Sequence, residues 1–182
     1  MNNVWFTADE HYNHAAVIKH MKRPFSDVAE MNDALIERNN SLVKPGDRVY
    51  HLGDFAWNNP HLFLDRMNGQ HYLIRGNHDY RDVKEIGFIW VKDVSTLTVG
   101  DYYFWLSHYA HAVWPRSHFG SFHLHGHSHG QLQFPGRTLD VGVDSHGFLP
   151  YHLDEVISEL KSRPWTDHHI SNSGIANKEV YE

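Results

Sequence analysis

The sequence predicts a single α/β domain in which sheets pack in the middle and helices lie outside. The first half alternates short apolar runs, typical of buried strands, with stretches whose apolar residues recur at helical spacing. The second half consists mostly of strand-like runs. The length, 182 residues, allows one domain with a sizeable core and is too short for two ordinary ones. These three observations together predict the α/β fold class.

Apolar runs and turn residues bound the predicted elements. In the first half, strands are predicted at 3–7, 48–52 and 71–74, and helices at 13–21, 27–42 and 60–67, the second capped by Ser26. In the second half, the runs 94–99 and 102–106 predict a hairpin, further strands are expected at 121–125 and 138–143, and a last helix at 153–161. One domain is therefore expected over residues 1–163, followed by a polar tail at 164–182.

The composition argues against several classes of protein. The chain contains no cysteine, which excludes a disulfide and a thiolate ligand, and it has no apolar run long enough to span a membrane. We therefore expect a cytoplasmic protein without a membrane partner. The formal net charge of −6 makes a long nucleic acid an unfavourable partner and fits a small substrate better. The 18 histidines, which are spread along the chain, indicate bound metal.

Polar clusters follow five of the predicted strands. In an α/β fold such residues gather along one edge of the sheet, where ligands bind. Their carboxylate, amide and imidazole groups suit divalent Mn, Fe or Zn. The clusters are Asp9-Glu10-His11, Gly53-Asp54, Gly76-Asn77-His78-Asp79, Ser107-His108 and Gly126-His127-Ser128-His129.

The spacing within the clusters favours shared metal ligation. Asp9 and His11 are two residues apart, which places both side chains on the same side of an extended segment. His127 and His129 repeat that spacing. A carboxylate such as Asp54 has two oxygens and can bridge two cations. Each cluster alone also fits an ordinary N-cap, surface contact or turn. Their joint occurrence at five strand ends is what favours a metal site.

In this order the clusters resemble the signature of the calcineurin-like metallophosphoesterase superfamily: Asp-x-His, Gly-Asp, Gly-Asn-His-Asp/Glu, a lone His and Gly-His-x-His. The resemblance runs from Asp9 to His129 and leaves the tail unmatched. It implies a four-layer α/β/β/α sandwich, with two packed mixed sheets flanked by helices. It also implies two divalent metal ions, with Mn expected first and Fe, Zn or Ni accepted by the same ligands.

The resemblance assigns a role to each matching residue. One metal would be bound by Asp9, His11 and His129, the other by Asn77, His108 and His127, and Asp54 would bridge the two. A hydroxide between the metals would attack the phosphorus of a phosphodiester or phosphomonoester. His78 would protonate the leaving oxygen, and Asp79 would orient His78.

One departure narrows the branch of the superfamily. Its protein serine/threonine phosphatases follow Gly-Asp with an Asp-Arg-Gly signature and carry Gly-Asn-His-Glu. Here Asp54 is followed by Phe55 and Ala56, and the third cluster ends in Asp79. The chain therefore resembles the small bacterial and phage phosphoesterases, and we expect a small phosphate ester as substrate, with a nucleotide among the candidates.

Two residues and two functions remain as alternatives. His14 and Arg75 lie beside the clusters and are candidate substrate-binding residues, but a helix cap and a solvated salt bridge are equally ordinary roles for them. A metal-dependent nuclease acting on short nucleic acids is a second hydrolytic function. A non-catalytic interaction scaffold that keeps the fold is a hypothesis of a different class. The presence of all seven ligand positions and of His78 favours catalysis. No specific signal indicates an oligomeric state.

Overall fold

The computed structural model describes residues 3–79 and 87–165, and two mixed sheets dominate this part of the chain. The strands of the first sheet are β1 (Val4–Thr7), β2 (Arg48–His51), β3 (Gln70–Ile74), β4 (Val91–Lys92) and β9 (Tyr151–His152). Their order is β4-β3-β2-β1-β9, with β1 to β4 parallel and β9 antiparallel to β1. The long crossovers of the parallel strands place the loops after β1, β2 and β3 at one edge.

The second sheet continues along the chain from β4. Its strands, in spatial order, are β5 (Val94–Val99), β6 (Tyr102–Ser107), β7 (Phe122–His125) and β8 (Thr138–Asp140). The predicted hairpin is confirmed, since β5 and β6 pair antiparallel around Gly100. β6, β7 and β8 are parallel, so the loops after β6 and β7 also share one edge.

Four α-helices lie in the described residues: α1 (Ala15–His20), α2 (Val28–Leu42), α3 (His61–Leu64) and α4 (Leu153–Ser162). The prediction that Ser26 caps α2 is wrong. The Asp27 side chain accepts a hydrogen bond from the Glu30 amide at 2.9 Å, whereas Ser26 Oγ donates to the Glu30 carboxylate at 2.6 Å. The carboxylate of Asp27 therefore satisfies the free amide at the helix start.

Apolar side chains from both sheets form one buried core. Phe6 in β1 and Leu52, which follows β2, pack with Phe104 and Leu124 of the second sheet. A separate cluster, in which Leu73 is buried, packs α2 and α3 against the other face of the first sheet. α4 contributes Val156 and Leu160 to the core between the sheets, and this helix contacts β1, β8 and β9. The predicted α/β fold, with two packed mixed sheets and flanking helices, is confirmed.

Several predicted boundaries differ from the structure. The predicted helix at 60–67 is α-helical only over His61–Leu64, because the bonds from the Arg66 and Met67 amides reach back three residues and tighten the last turn. The strand predicted at 138–143 ends at Asp140, whose Oδ1 accepts from the Gly142 amide at 2.8 Å. β4 and β9 were not predicted, since two residues carry no periodic signal.

The described part of the chain contains no helix that is long and apolar enough to cross a membrane. Most of the predicted polar tail, residues 166–182, lies outside the described residues. The domain boundary predicted after residue 163 therefore stays a prediction.

Candidate metal centre

The five predicted clusters meet at the carboxyl ends of the parallel strands of both sheets. Within the first sheet, the His11 amide donates to the Asp54 carbonyl at 3.0 Å. Within the second, the Gly126 amide donates to the His108 carbonyl at 3.0 Å. Each sheet therefore presents a bonded set of loops to the site.

The two sets of loops touch at Asp9, which is fully buried. The His127 amide donates to both carboxylate oxygens of Asp9, at 2.8 and 3.1 Å. A Cβ at Gly126 would lie 2.7 Å from Asp9 Oδ2 and 2.6 Å from Ala8 Cβ, so only glycine fits at this contact. The site is thus a seam between the two sheets.

Five predicted ligands hold a left-handed backbone, a conformation that residues with a side chain rarely adopt. They account for half of the ten non-glycine residues with positive φ in the described chain: Asp9 (58°), His11 (54°), Asp54 (57°), His127 (67°) and His129 (48°). Such strain costs of order 1–3 kcal/mol per residue and collects at functional sites. The extended geometry assumed for the Asp9–His11 and His127–His129 pairs is wrong, and left-handed turns bring these side chains together instead.

Six of the seven predicted ligands form two compact groups. The first group contains Asp9, His11 and His129, and the second contains Asp54, His108 and His127. Within each group, one ligand atom from every residue lies within 4.8 Å of the others. Asp54 lies between the groups, since its Oδ2 is 3.7 Å from His11 Nε2 and 3.5 Å from His108 Nε2. The partition is the one that the family resemblance implies.

Asn77, the seventh predicted ligand, lies beside the second group. Its Oδ1 is 3.0 Å from His108 Nε2 and accepts a hydrogen bond from the Tyr109 hydroxyl at 3.1 Å. The Tyr109 ring also packs against His127, with centroids 4.5 Å apart. Sequence reasoning missed Tyr109, although it directly follows the His108 cluster.

The first group combines a buried carboxylate with a neutral imidazole. Burial raises the pKa of Asp9 well above its usual value, and the neighbouring carboxylates Asp140 and Asp54 raise it further. Burial lowers the pKa of His11 to about 3, so its ring is uncharged near neutral pH and can serve as a ligand. A cation at this position would offset the clustered negative charge.

In the second group, Asp54 and His108 stabilise each other's charged forms. Burial opposes ionisation of Asp54, but the hydrogen bond and the charge of His108 hold the pKa of Asp54 at about 2. In turn, burial opposes protonation of His108, while Asp54 raises the pKa of that imidazole. His108 Nδ1 faces the Leu52 carbonyl at 2.8 Å, which leaves Nε2 directed toward the other ligands.

The two predicted catalytic residues have different surroundings. The half-buried His78 ring lies over the first group, 5.3 Å from the His11 ring and 5.5 Å from Trp57. Asp79 is buried, and its carboxylate accepts from the amides of Asp54 and Gly76 at 2.8 Å and from that of Phe55 at 3.0 Å. These contacts tie two loops together, and the predicted orientation of His78 by Asp79 stays a prediction.

Of the two candidate substrate-binding residues, His14 contacts the site and Arg75 is held by an ion pair. His14 lies in the site, with Nδ1 3.3 Å from His11 Nδ1 and its ring stacked on Trp57 at 4.4 Å. The N-cap role considered for His14 is absent, because its side chain makes no capping hydrogen bond to α1. Arg75 forms an ion pair with Asp93, in agreement with the salt bridge considered for it.

Sequence reasoning missed a buried ion pair behind the first group. Arg23 lies before Pro24 in an unremarkable loop, and Asp144 follows His129 by fifteen residues. Their side chains form two hydrogen bonds, at 2.7 and 2.8 Å, and Asp144 also contacts His129. No local pattern could have signalled this pair, because its members are 121 residues apart.

No family model matches the chain. It is 30% identical over 173 residues to the uncharacterized protein MJ1445 of Methanocaldococcus jannaschii, and the match covers 88% of this chain and 93% of that protein. The chain belongs to the family of this archaeal protein. It is also 27% identical over 190 residues to the gene 66 protein of Mycobacterium phage L5, which covers 82% of this chain and 90% of the phage protein.

Among solved structures, the chain is similar to AQ665, a protein of unknown function from Aquifex aeolicus. The TM-score is 0.71 at 21% identity, with 87% of this chain and 100% of the other covered. The two proteins therefore share a fold, which in this chain is a sandwich of two mixed sheets flanked by helices. An archaeal phosphodiesterase is less similar, with a TM-score of 0.48, 17% identity and coverage of 77% and 82%. That likeness is too weak to bear on function.

Proposed function

We propose that this protein is a phosphoesterase that depends on two divalent metal ions. The observation that carries the proposal is the pair of ligand groups with Asp54 between them. One carboxylate that reaches both groups can hold two cations close together. Two adjacent metals form the usual centre for clamping a phosphate and activating water.

The residues fit divalent metals in both chemistry and charge. The donors are carboxylate oxygens and imidazole nitrogens, the set that Mn, Fe, Zn and Ni accept, and we propose Mn. Asp9, Asp54 and Asp140 are all buried, and the pKa of Asp9 is raised by its burial and further by repulsion from the other two carboxylates. When bound, the cations would supply charge neutralisation and Lewis-acid activation of a water molecule. Asp9, His11 and His129 would hold one, and His108, His127 and Asn77 the other.

His78 is the proposed general acid. Its backbone amide donates to Asp54 Oδ1 at 2.8 Å, which anchors the residue to the carboxylate between the groups. Its half-buried ring lies between His11 and Trp57. From there the imidazole can donate a proton to the oxygen that leaves phosphorus, a role that histidine fills more often than any other side chain.

The surroundings of the centre support a small ester as substrate. Trp57 and Tyr109 are 40% and 48% exposed, and each packs against histidines of the site. Planar rings of this kind can stack on a flat leaving group such as a nucleobase. Tyr12 is buried and stacked on Phe63, so it is not available for such stacking. The net charge of −6 favours a small phosphodiester or phosphomonoester over a long nucleic acid, and we propose a cytoplasmic location.

The test compares metal-free protein with protein given Mn²⁺, using bis(p-nitrophenyl) phosphate and p-nitrophenyl phosphate. Turnover should require Mn²⁺, and the preferred ester distinguishes a diesterase from a monoesterase. We expect His78→Ala to lower kcat by about 10²- to 10⁴-fold, because a general acid contributes that much. Asp54→Asn should abolish binding of at least one metal. The exposed His61 provides a matched control, and His61→Ala should leave kcat unchanged.

Two results would overturn the proposal. If the wild-type protein bound no Mn²⁺, the two-metal centre on which the proposal depends would be absent. Protein that binds two Mn²⁺ ions but hydrolyses neither these esters nor short oligonucleotides would favour the scaffold. Cleavage of oligonucleotides alone would favour the nuclease.

A further inference from the structure

Asp144 lies directly behind the first ligand group. It sits in the short 3₁₀ turn Val143–Ser145 that follows β8. Its Oδ2 is 2.7 Å from His129 Nδ1, and the side chains are 9% and 16% exposed. A carboxylate that accepts a hydrogen bond from Nδ1 favours, in the neutral ring, the tautomer whose Nε2 can bind a metal, and it fixes the plane of the ring. His129 is therefore held in the form and orientation of a metal ligand.

Arg23 in turn holds Asp144. Its Nε and one terminal nitrogen donate to the two Asp144 oxygens at 2.8 and 2.7 Å, a fork that fixes the carboxylate in both position and angle. The Arg23 side chain is completely buried. The same guanidinium donates to the backbone carbonyls of Asp9 at 2.7 Å and Glu10 at 2.9 Å. One buried cation thus fixes both the Asp9–His11 loop and, through Asp144, His129.

The second ligand group is held differently. Its His108 ring faces the carbonyl of Leu52, a neutral acceptor that belongs to the backbone. The Asp144 and Arg23 contacts described above reach the His129 side chain and the carbonyls of Asp9 and Glu10, and none of these contacts is to a side chain of the second group. A change at Asp144 or Arg23 should therefore act on one cation position and spare the other.

We infer that Arg23 and Asp144 are positioning residues that set the cation affinity of the Asp9, His11 and His129 group alone. The inference rests on the proposed function, since it presupposes two bound metals. It adds that different residues hold the ligands of the two cation sites, so that a substitution can weaken metal binding at one site and not at the other. Asp144 adds negative charge and a fixed hydrogen bond behind His129, while Arg23 aligns all three ligands of the group.

The test is calorimetric titration of metal-free protein with Mn²⁺, which needs no turnover. Wild type should bind two ions. Asp144→Ala should weaken binding of one ion by about 10- to 100-fold, the usual effect of removing a partner behind a metal ligand, and leave the other unchanged. Arg23→Lys keeps the charge but loses the fork, and we expect it to weaken the same ion.

Asp47→Asn is the matched control, because Asp47 is also a buried carboxylate but precedes β2 at the far end of that strand. It should leave both affinities unchanged. Melting of each metal-free variant verifies that it is folded, and Arg23→Lys provides a second route if Asp144→Ala does not fold. Equal weakening of both ions in Asp144→Ala, or no weakening in either variant, would overturn the inference while the proposed function stands. A wild type without bound Mn²⁺ would overturn both.

Discussion

The buried carboxylates of this protein have two roles, as candidate metal ligands and as acceptors that hold loops together. Asp9 and Asp54 lie in the ligand groups, and each accepts from one backbone amide. Asp47 accepts from two backbone amides and Asp79 from three, and both lie outside the ligand groups. Residue type alone does not separate the two kinds, because both are buried and both follow or precede strands. The separation depends on which loops meet in space.

The structural role of Asp47 leads to a prediction about pH. Burial opposes its ionisation, but the amides of Lys44 and Asn3 and the indole of Trp5 hold the pKa at about 2, below the ordinary 3.8. A lowered pKa means that this stabilisation is complete above pH 3.8 and is lost as the pH falls toward 2. Asp47→Asn should lower the free energy of unfolding by about 2 kcal/mol at pH 7.

Urea unfolding of both proteins from pH 7 to pH 2 provides the measurement. The difference in unfolding free energy between wild type and Asp47→Asn should shrink below pH 4. The exposed Asp65 offers a control, since Asp65→Asn should have little effect at any pH. A difference that stays constant down to pH 2 would contradict the assigned pKa.

Among single residues, the candidate metal ligands could be predicted from the sequence, but the residues that hold those ligands in place could not. The seven predicted ligands are close together in the structure, because each follows a strand end and carries a recognisable type of donor. Arg23 and Asp144 could not be found, since a buried ion pair between distant residues leaves no periodic or local trace. The contacts of Asp79 with three amides likewise depend on how two loops approach each other.

The elements that matter most for the site are its loops rather than its helices. The loops after β1 and β7 approach so closely that Gly126 has no room for a side chain. Substitution there tests whether loop spacing, and not only ligand identity, sets metal binding. We predict that Gly126→Ala reduces Mn²⁺ affinity by more than about tenfold, because its Cβ would displace Asp9, which belongs to the first ligand group.

Gly136→Ala is the appropriate comparison. Gly136 has positive φ, at 84°, which Gly126 does not, and a Cβ at Gly136 would meet nothing within 4 Å. Gly136→Ala should lower the free energy of unfolding by about 1 kcal/mol through backbone strain, and the Mn²⁺ affinity should stay as in wild type. If Gly126→Ala bound Mn²⁺ as tightly as Gly136→Ala does, the close contact at Asp9 would be unimportant.

Elements with a strong periodic pattern could be predicted from the sequence. α2 and the β5–β6 hairpin were bounded closely, because fifteen helical residues and two alternating strands give clear signals. β4 and β9 owe their conformation to pairing with β3 and β1, so tertiary context decides them. The left-handed turns of the ligand loops were missed for the same reason.

At the scale of the whole molecule, the candidate centre joins the two sheets. The loops carrying Asp9, His11 and Asp54 extend from the first sheet, and those carrying His108 and His127 extend from the second. A metal held by ligands from both sheets binds the folded protein and not the unfolded chain. Mn²⁺ should therefore stabilise the fold by mass action.

We predict that Mn²⁺ at about 100 times its Kd raises the free energy of unfolding by about 2.7 kcal/mol for each site occupied. Thermal or urea unfolding with Mn²⁺ and with a chelator measures this difference. Mg²⁺ at equal ionic strength controls for general salt effects, since it prefers oxygen ligands. Unfolding curves that coincide with and without Mn²⁺ would show that the metal does not join the sheets.

The left-handed ligands have a consequence for how this protein would respond to selection. Glycine relieves the backbone at such positions by roughly 1 kcal/mol each, so loss of a ligand there can bring a gain in stability. In the absence of metal, selection for heat resistance alone would therefore replace ligands first, at His127 or His129, and leave the core intact. A variant selected in this way would carry glycines in its strand-end loops, and sequencing those loops would reveal the selection.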